Sequence, residues 1–422
     1  VIKNWSYTHY FTLALALVAA VMGCVPKAVP LSIVVLAVVI GIGYVRKEIR
    51  WRWYAPNCFA ALLYFAYLAG IFFTENMELA RGYAENKLSL VIFPLLLSIR
   101  LKKNMSLSPV LIGATAGLTL ASFYGFVNAF GCYQSGGKLI NCLTSVSISP
   151  IHHPTYFASF LMTVTIGVWS GYHKKEPAMS LRWIVPFTLL AALVFMLCLS
   201  LAALLSLGVF AAICMLWYVY LRWGKPLFYS LLVASPVLVV VFLNYIPVVK
   251  EEVAYTQQSM VSFVKSPLEF VRQKTGYKIG NEVRLVMWTV TVKEWMDHPL
   301  GVGTGNVDFH LSERLKSYGQ LELASQDEKG SIRYNPHNQF LQTGLEVGVF
   351  GFALLLAWII GALVIAHREK NLLFLSVGYV FILNCIFESM LQRQSGIVFF
   401  TFWIVLLTMF SGQSKAESKE EV

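Results

Sequence analysis

Apolar residues run along this chain in long blocks rather than in an alternation. A helix needs roughly 20 of them in a row to cross a hydrocarbon core. Such blocks lie near 9–25, 29–45, 54–73, 86–99, 108–130, 154–171, 183–200, 202–220, 227–248, 346–366, 371–387 and 396–411. Short polar loops separate most of them. The pattern predicts an all-α, polytopic transmembrane helical bundle of about 12 spans.

One segment interrupts the rhythm. Residues 250–336 run without a span, and loops of that length are usually functional or disordered. This one carries helical patterning. In NEVRLVMWTVTVKEWMDHP, residues 281–299, Leu285, Trp288, Val292 and Trp295 recur at helical intervals, and Pro299 ends the run. A glycine-rich turn, LGVGTGN, follows with Gly301, Gly303 and Gly305, and a further short helix is expected within 307–320. The expected organisation is nine transmembrane helices in 1–249, a long outer loop folded as a small helical cap in 250–336, three more spans in 337–412, and a polar tail in 413–422. No cleavable signal peptide is evident.

Composition agrees with the pattern. Of 422 residues 57% are hydrophobic and only 13% charged, against about 25% charged in a soluble domain. The net charge of +11 is a topology signal. The basic clusters VRKEIRWR (45–52), RLKK (100–103), HKKE (173–176), LRWGK (221–225) and HREK (367–370) all fall on the side of both termini, which the positive-inside rule makes cytoplasmic. Membrane lipid headgroups, not nucleic acid, are their expected partners. Five of the seven cysteines fall inside predicted spans as small buried apolar residues. Cys132 and Cys142 share one outer loop, GCYQSGGKLINC. They are either a disulfide or two free thiols.

Candidate chemistry concentrates at YNPHNQFLQTGLEVGVFG, residues 334–351. Asn335 is a good N-cap and Pro336 fits the first helical position, so His337 and Asn338 are expected in the first turn. That positive helix end attracts phosphate and disfavours imidazolium. A neutral histidine there can act as a general base; the alternative is a polar anchor at the interface. Arg272, Lys274, Lys278 and Arg284 lie in the same loop, Arg333 stands four residues before His337, and Arg393 sits in ESMLQRQSG. This cationic outer face fits a lipid-linked phosphate or pyrophosphate, or is solvated surface charge. Arg81, Glu85 and Lys87, in ELARGYAENKLSLVIFP, either line the same pocket or anchor the interface. His152 and His153, in SPIHHPTYF, lack the further ligands that a metal site needs. No CxxC, HExxH, P-loop or DxD-like pair is present, and the glycine turn follows a helix rather than a strand. A donor already activated on a lipid is favoured. The spans are nearly free of charge, which argues against a transporter of lipid-linked glycan.

Three segments carry a resemblance: Arg284 four residues before Trp288, HPLGVGTGN at 298–306, and NPHNQFLQTGLEVGVFG at 335–351. Together they resemble the O-antigen ligase and polymerase superfamily of bacterial envelope proteins, strongly over roughly 110 residues. HPTYFASF (153–160) and ENKLSLVIFP (85–94) match more loosely, and ESMLQRQSGIVFF resembles the last outer loop of ligase-like members. The resemblance implies a GT-C-like glycosyltransferase with a periplasmic cap in the bacterial inner membrane. It implies transfer of O-antigen polysaccharide from undecaprenyl pyrophosphate to a sugar of the lipid A core, inverting and without cofactor or metal. The family's histidine maps to His337, its arginine before the tryptophan to Arg284, and a further arginine to Arg272. On the chemistry, His337 is expected to act as base, Arg284 and Arg272 to clamp the pyrophosphate, and Asn338, at the same substrate site, to orient His337 or a sugar hydroxyl. Arg81, Lys87, His153, Tyr156, Arg333 and Arg393 are looser pocket positions. CLSLAALLSLG, near 198–208, lacks the Arg or Lys that many members carry there. A polymerase of the same superfamily would use the same donor with a second lipid-linked glycan as acceptor. A protein-modifying oligosaccharyltransferase is a further alternative. A single long loop late in the chain favours the ligase.

Overall fold

The apolar blocks fold as helices because every backbone polar group within a bilayer has to be satisfied inside its own segment. The computed structural model describes residues 6–173, 178–223, 257–274, 276, 280–328, 330–332 and 334–420. The expected span at 227–248, Lys278 and Arg333 lie outside the described residues.

In chain order the helices are α1 (Tyr7–Cys24), α2 (Val29–Val45), α3 (Ala55–Gly70), α4 (Met77–Lys87), α5 (Ser89–Leu97), α6 (Ser108–Gln134), α7 (Leu139–Leu143), α8 (Pro154–His173), α9 (Leu181–Leu197) and α10 (Leu201–Trp223). After helical residues 257–265 come α11 (Pro267–Gln273), α12 (Gly280–Asp297), α13 (Val307–Ser317), α14 (Leu321–Ala324), α15 (Gln339–Arg368), α16 (Leu372–Phe387) and α17 (Gln394–Glu420).

Among the described residues, six helices are long and apolar enough to cross a membrane: Tyr7–Cys24, Pro26–Val45, Ala55–Phe73, Ser108–Gln134, Gln339–Arg368 and Gln394–Gln413. Leu181–Leu197, Leu201–Leu216 and Leu372–Phe387 are apolar but shorter. The expected span at 86–99 is a correction. It contains only the nine residues of α5, broken from α4 at Leu88 and carrying Pro94 inside. At 1.5 Å per residue α5 is about 14 Å long, half of a hydrocarbon core of about 30 Å.

Helix α1 packs against α2 and α6, α15 against α3 and α16, α16 also against α8 and α10, and α17 against α5. A Cβ on Gly117 of α6 would lie 2.1 Å from the Ala20 carbonyl oxygen of α1, so the small residue is what lets these two helices touch. The outer surface is apolar in a regular way. Leu120, Phe123, Val127 and Phe130 are all exposed along α6, spaced as one helical stripe. Such a stripe is costly in water and suited to lipid.

Two departures concern regular structure. The basic loops of 45–52 and 100–103 meet in a short antiparallel ladder, β1 (Ile49–Trp51) on β2 (Ile99–Leu101), with Arg50 opposite Arg100. Between α10 and α15 a second, smaller core forms from Val271, Val283, Val286, Met287, Val290, Leu311, Leu315 and Leu323. Helix α12 therefore buries a broader face than the expected stripe. Val286, Met287 and Val290 fill this core, Trp295 packs on Gly344 and Phe352 of α15, and Val292 is exposed. Two partners on two sides, not one, explain the difference. Cys132 and Cys142 form a disulfide with Cα atoms 5.6 Å apart.

Candidate functional site

The site starts from Asn335–Asn338. The Asn335 Oδ1 accepts the His337 N–H at 2.9 Å, an Asx turn that bends the chain before any helix begins. His337 then has φ +46, a left-handed backbone uncommon for a residue with a Cβ. The N-cap is Asn338: its Oδ1 accepts the Leu341 N–H at 3.0 Å and α15 begins at Gln339. This corrects the expectation of Asn335 as cap and His337 in the first turn. The imidazole does not rest on the helix end; it meets a side-chain partner.

That partner is Glu388, in the loop between α16 and α17. His337 Nδ1 lies 3.1 Å from Glu388 Oε2, and Arg284 Nη2 lies 3.2 Å from Glu388 Oε1. His337 and Arg284 side chains are 26% exposed and Glu388 only 9%. Burial alone pushes the Glu388 carboxyl up. The hydrogen bond and charge of His337, then Arg284 and His153, outweigh it and hold the group below the usual carboxylate range. An ionised carboxylate only accepts hydrogen bonds, so His337 Nδ1 carries the proton. In the neutral ring Nε2 is then left as the basic nitrogen. The tautomer follows from the partner's chemistry, not from a visible hydrogen.

The loop that bears Glu388 is itself held. Asn338 Nδ2 donates to the Ile386 carbonyl at 3.1 Å, and the Leu391 N–H donates to Gln339 Oε1 at 2.6 Å. The Tyr156 hydroxyl donates to the Ser389 carbonyl at 3.3 Å, and the Ser389 hydroxyl to Asn335 Oδ1 at 3.3 Å. His153, just before α8, lies within electrostatic reach of the cluster. Burial, first of all, holds its imidazole below the ordinary value; Glu388 pulls it up, while Arg393, His337 and Arg284 push it further down.

Beside Arg284 opens a cavity of about 300 Å³ lined by Leu201, Leu205, Met260, Leu285, Trp288 and Phe387, with Glu282 and Ser259 also at its wall. The basic residue absent from CLSLAALLSLG leaves apolar side chains of α10 here. Ser259 donates to Glu282 Oε1 at 2.9 Å, and Lys274 pairs with the same carboxylate.

The other sequence candidates divide. Asn338 and Tyr156 position the Glu388 loop, and exposed Arg393 lies close enough to act on His153 and Tyr156. Arg272 is exposed and stacks its guanidinium over Tyr318 at 5.5 Å. Arg81 is exposed on α4. Lys87 is fully buried and pairs with Glu346 at 3.2 Å and Gln392 at 3.3 Å, over the Tyr67 ring. It sits behind the loop rather than in it: Gln392 also donates to Glu346 Oε2 at 2.9 Å.

Glu346 stands at a break in α15. Val347 and Gly348 are non-helical, Gly348 with φ 71 and ψ −170. The glycine turn after α12 fills the break. The Val302 and Gly303 N–H groups donate to the Leu345 and Glu346 carbonyls at 2.8 and 3.0 Å, and the Val349 N–H donates to Pro299 O at 3.0 Å. Backbone groups freed by the break are thereby satisfied. A Cβ on Gly348 would sit 2.3 Å from the Leu300 carbonyl carbon, so only glycine fits. The turn thus fixes α12, and with it Arg284, against the helix that carries His337.

Glu388 is the residue that sequence reasoning missed, although it opens the quoted segment ESMLQRQSG; a lone acid before a serine carries no spacing signal. The O-antigen ligase family model matches residues 186–356, from α9 into α15, taking in Arg284, the glycine turn and His337. Glu388, His153 and Tyr156 lie outside the matched range. No curated protein matches the chain.

Proposed function

We propose that the chain, whose residues 186–356 match the O-antigen ligase family model, is a membrane glycosyltransferase that moves a glycan from a polyprenyl-pyrophosphate carrier to a sugar of a lipid-anchored core. The carrier is undecaprenyl pyrophosphate and the acceptor the lipid A core, on the outer face of the bacterial inner membrane. The observation that carries this reading is the Glu388 bridge, which joins a histidine with a free Nε2 to an arginine at the mouth of an apolar cavity.

Each part has a task in one displacement. The acceptor hydroxyl oxygen bonds to the anomeric carbon from the face opposite the pyrophosphate. Its proton goes to His337 Nε2. The bond from the anomeric carbon to the pyrophosphate oxygen breaks, and the electron pair leaves with the pyrophosphate. Arg284, at the edge of the cluster, meets that developing charge through its guanidinium. The anomeric centre inverts. Glu388 holds the imidazole in the productive tautomer and balances the imidazolium that forms, as a buried carboxylate does for a catalytic histidine elsewhere. The cavity beside Arg284 takes the first isoprene units of the carrier. His153 and Arg393 lie within electrostatic reach of the Glu388 cluster. No metal or nucleotide enters this displacement.

The test is genetic. A deletion strain is complemented with the wild-type gene or with His337→Ala, and its lipopolysaccharide is resolved by length. Core without attached glycan, with lipid-linked polymer accumulating, supports the ligase. A single repeat unit still attached to core identifies the polymerase instead. A full ladder from His337→Ala sinks the base assignment.

A further inference from the structure

A second constellation lies apart from this cluster, where α12 ends. Glu294 and His298 are four residues apart, so they share one helical face; the His298 N–H still donates to the Glu294 carbonyl at 3.0 Å. His310 comes from α13, which shares its core with α12. His310 Nδ1 is 2.9 Å and His298 Nε2 is 3.3 Å from the same oxygen, Glu294 Oε1. One ligand atom from each of the three residues falls within 4.8 Å of the other two. We propose that Glu294, His298 and His310 bind a divalent transition metal, best Zn²⁺, which clamps the end of α12 to α13.

The spacing suits the ion. With zinc–ligand bonds of roughly 2.0–2.1 Å, the edge of a tetrahedron of ligand atoms is about 3.3 Å. Two imidazole nitrogens and one carboxylate oxygen form a set that suits zinc and not magnesium or calcium, which demand oxygen. Three protein ligands leave a fourth position for water. Glu294 is buried at 4% exposure, and Arg314 Nε holds its other oxygen at 2.6 Å while also pairing with Asp297. That contact orients the free oxygen towards the two rings, as an outer partner does for a metal-bound carboxylate. Without a metal, both imidazoles would have to present a protonated nitrogen to one oxygen atom. With one, both present lone pairs to the ion.

The clamp has a mechanical consequence. The turn that fills the break in α15 begins directly after His298, with Pro299 O accepting the Val349 N–H. A metal that immobilises His298 pins the entry to that turn.

The test uses the full chain, purified in detergent and stripped with a chelator. Zn²⁺ is titrated in and bound metal is counted, with Co²⁺ as a coloured substitute on the wild type. The expected result is one tight equivalent per chain, a tetrahedral cobalt spectrum and a raised melting temperature. His298→Ala/His310→Ala loses all three, while His173→Ala, on a distant helix, keeps them. No stoichiometric uptake by the wild type overturns the proposal, as does a six-coordinate cobalt spectrum. Equal uptake by the double variant overturns it too. The cobalt spectrum needs no variant, so a double variant that fails to fold leaves the proposal decidable.

Discussion

Glu388 receives its two partners from different elements: His337 from the turn before α15 and Arg284 from α12. If it orients the base, its effect runs through His337. Replacing His337 by alanine is expected to lower the rate of glycan transfer by about 10²–10⁴-fold. Glu388→Gln, which keeps the shape and removes the charge, is expected to cost about tenfold or more alone and nearly nothing further in the His337→Ala background. Purified enzyme with a lipid-linked donor measures both; additive losses would show that Glu388 acts elsewhere. Arg284→Lys keeps a charge but loses the fork that can hold Glu388 and phosphate together, and should weaken donor binding more than turnover at saturation. At this scale the sequence was partly legible. His337 and Arg284 sit in recognisable local patterns. Glu388 lies 51 positions from His337, and no local pattern records a contact made only when two distant loops close. The same holds for Lys87, whose ammonium reads as an interface anchor until its buried carboxylate partner, Glu346, is located.

At the scale of elements, the break in α15 decides the most. The run EVGVFG reads as the start of an uninterrupted span, yet the helix is interrupted at Val347–Gly348 and repaired by backbone from residues 299–303. Gly348→Ala forces a Cβ into Leu300 at a positive φ and should destabilise by about 1–3 kcal/mol, read as an earlier unfolding midpoint in detergent. Gly131→Ala, whose Cβ meets nothing within 4 Å, serves as the neutral control. The loop after α6 is closed by the Cys132–Cys142 disulfide. Mass spectrometry after alkylation should add two more alkyl groups with reductant than without; equal masses would exclude the bond. Among the described residues, helices of membrane length stand where long apolar blocks predict them, as at Ser108–Gln134 and Gln394–Gln413. The blocks failed at 86–99, because a window of average hydropathy passes over Lys87 and Leu88, where the helix in fact stops and restarts.

Across the whole molecule, the smaller core of residues 271–345 is joined to the bundle through a few buried polar ties. Tyr83 of α4 donates to Asp308 Oδ2 of α13 at 3.1 Å. Burial, helped by the charge of Glu346, pushes the Asp308 carboxyl from 3.8 up to about 6, against the hydrogen bonds of Tyr83 and Ser331. The folded chain therefore holds a proton on Asp308 that the unfolded chain has lost between about pH 4 and 6. The stabilisation from this group is full below the unfolded value and is lost as pH rises through about 6. Melting curves across that range should show Asp308→Asn gaining on the wild type as pH rises; parallel curves would remove Asp308 from the pH response. The carboxylate of Glu388 works in the opposite sense. Its depressed value makes its contribution full above the unfolded carboxylate value and lost as pH falls through the folded one.

By itself the sequence determined that this chain carries apolar helices of membrane length, because unbroken apolar runs of that length satisfy their backbone within a bilayer as helices. It also determined that a histidine and an arginine of a known pattern stand in and beside one long loop, because those signals are local. The tertiary structure alone decided that Glu388 joins the two, that α15 breaks to receive the glycine turn, and that Lys87 is buried. Each depends on side chains and backbone groups from distant segments meeting where water is excluded, and there an unpaired charge or amide costs too much to leave alone.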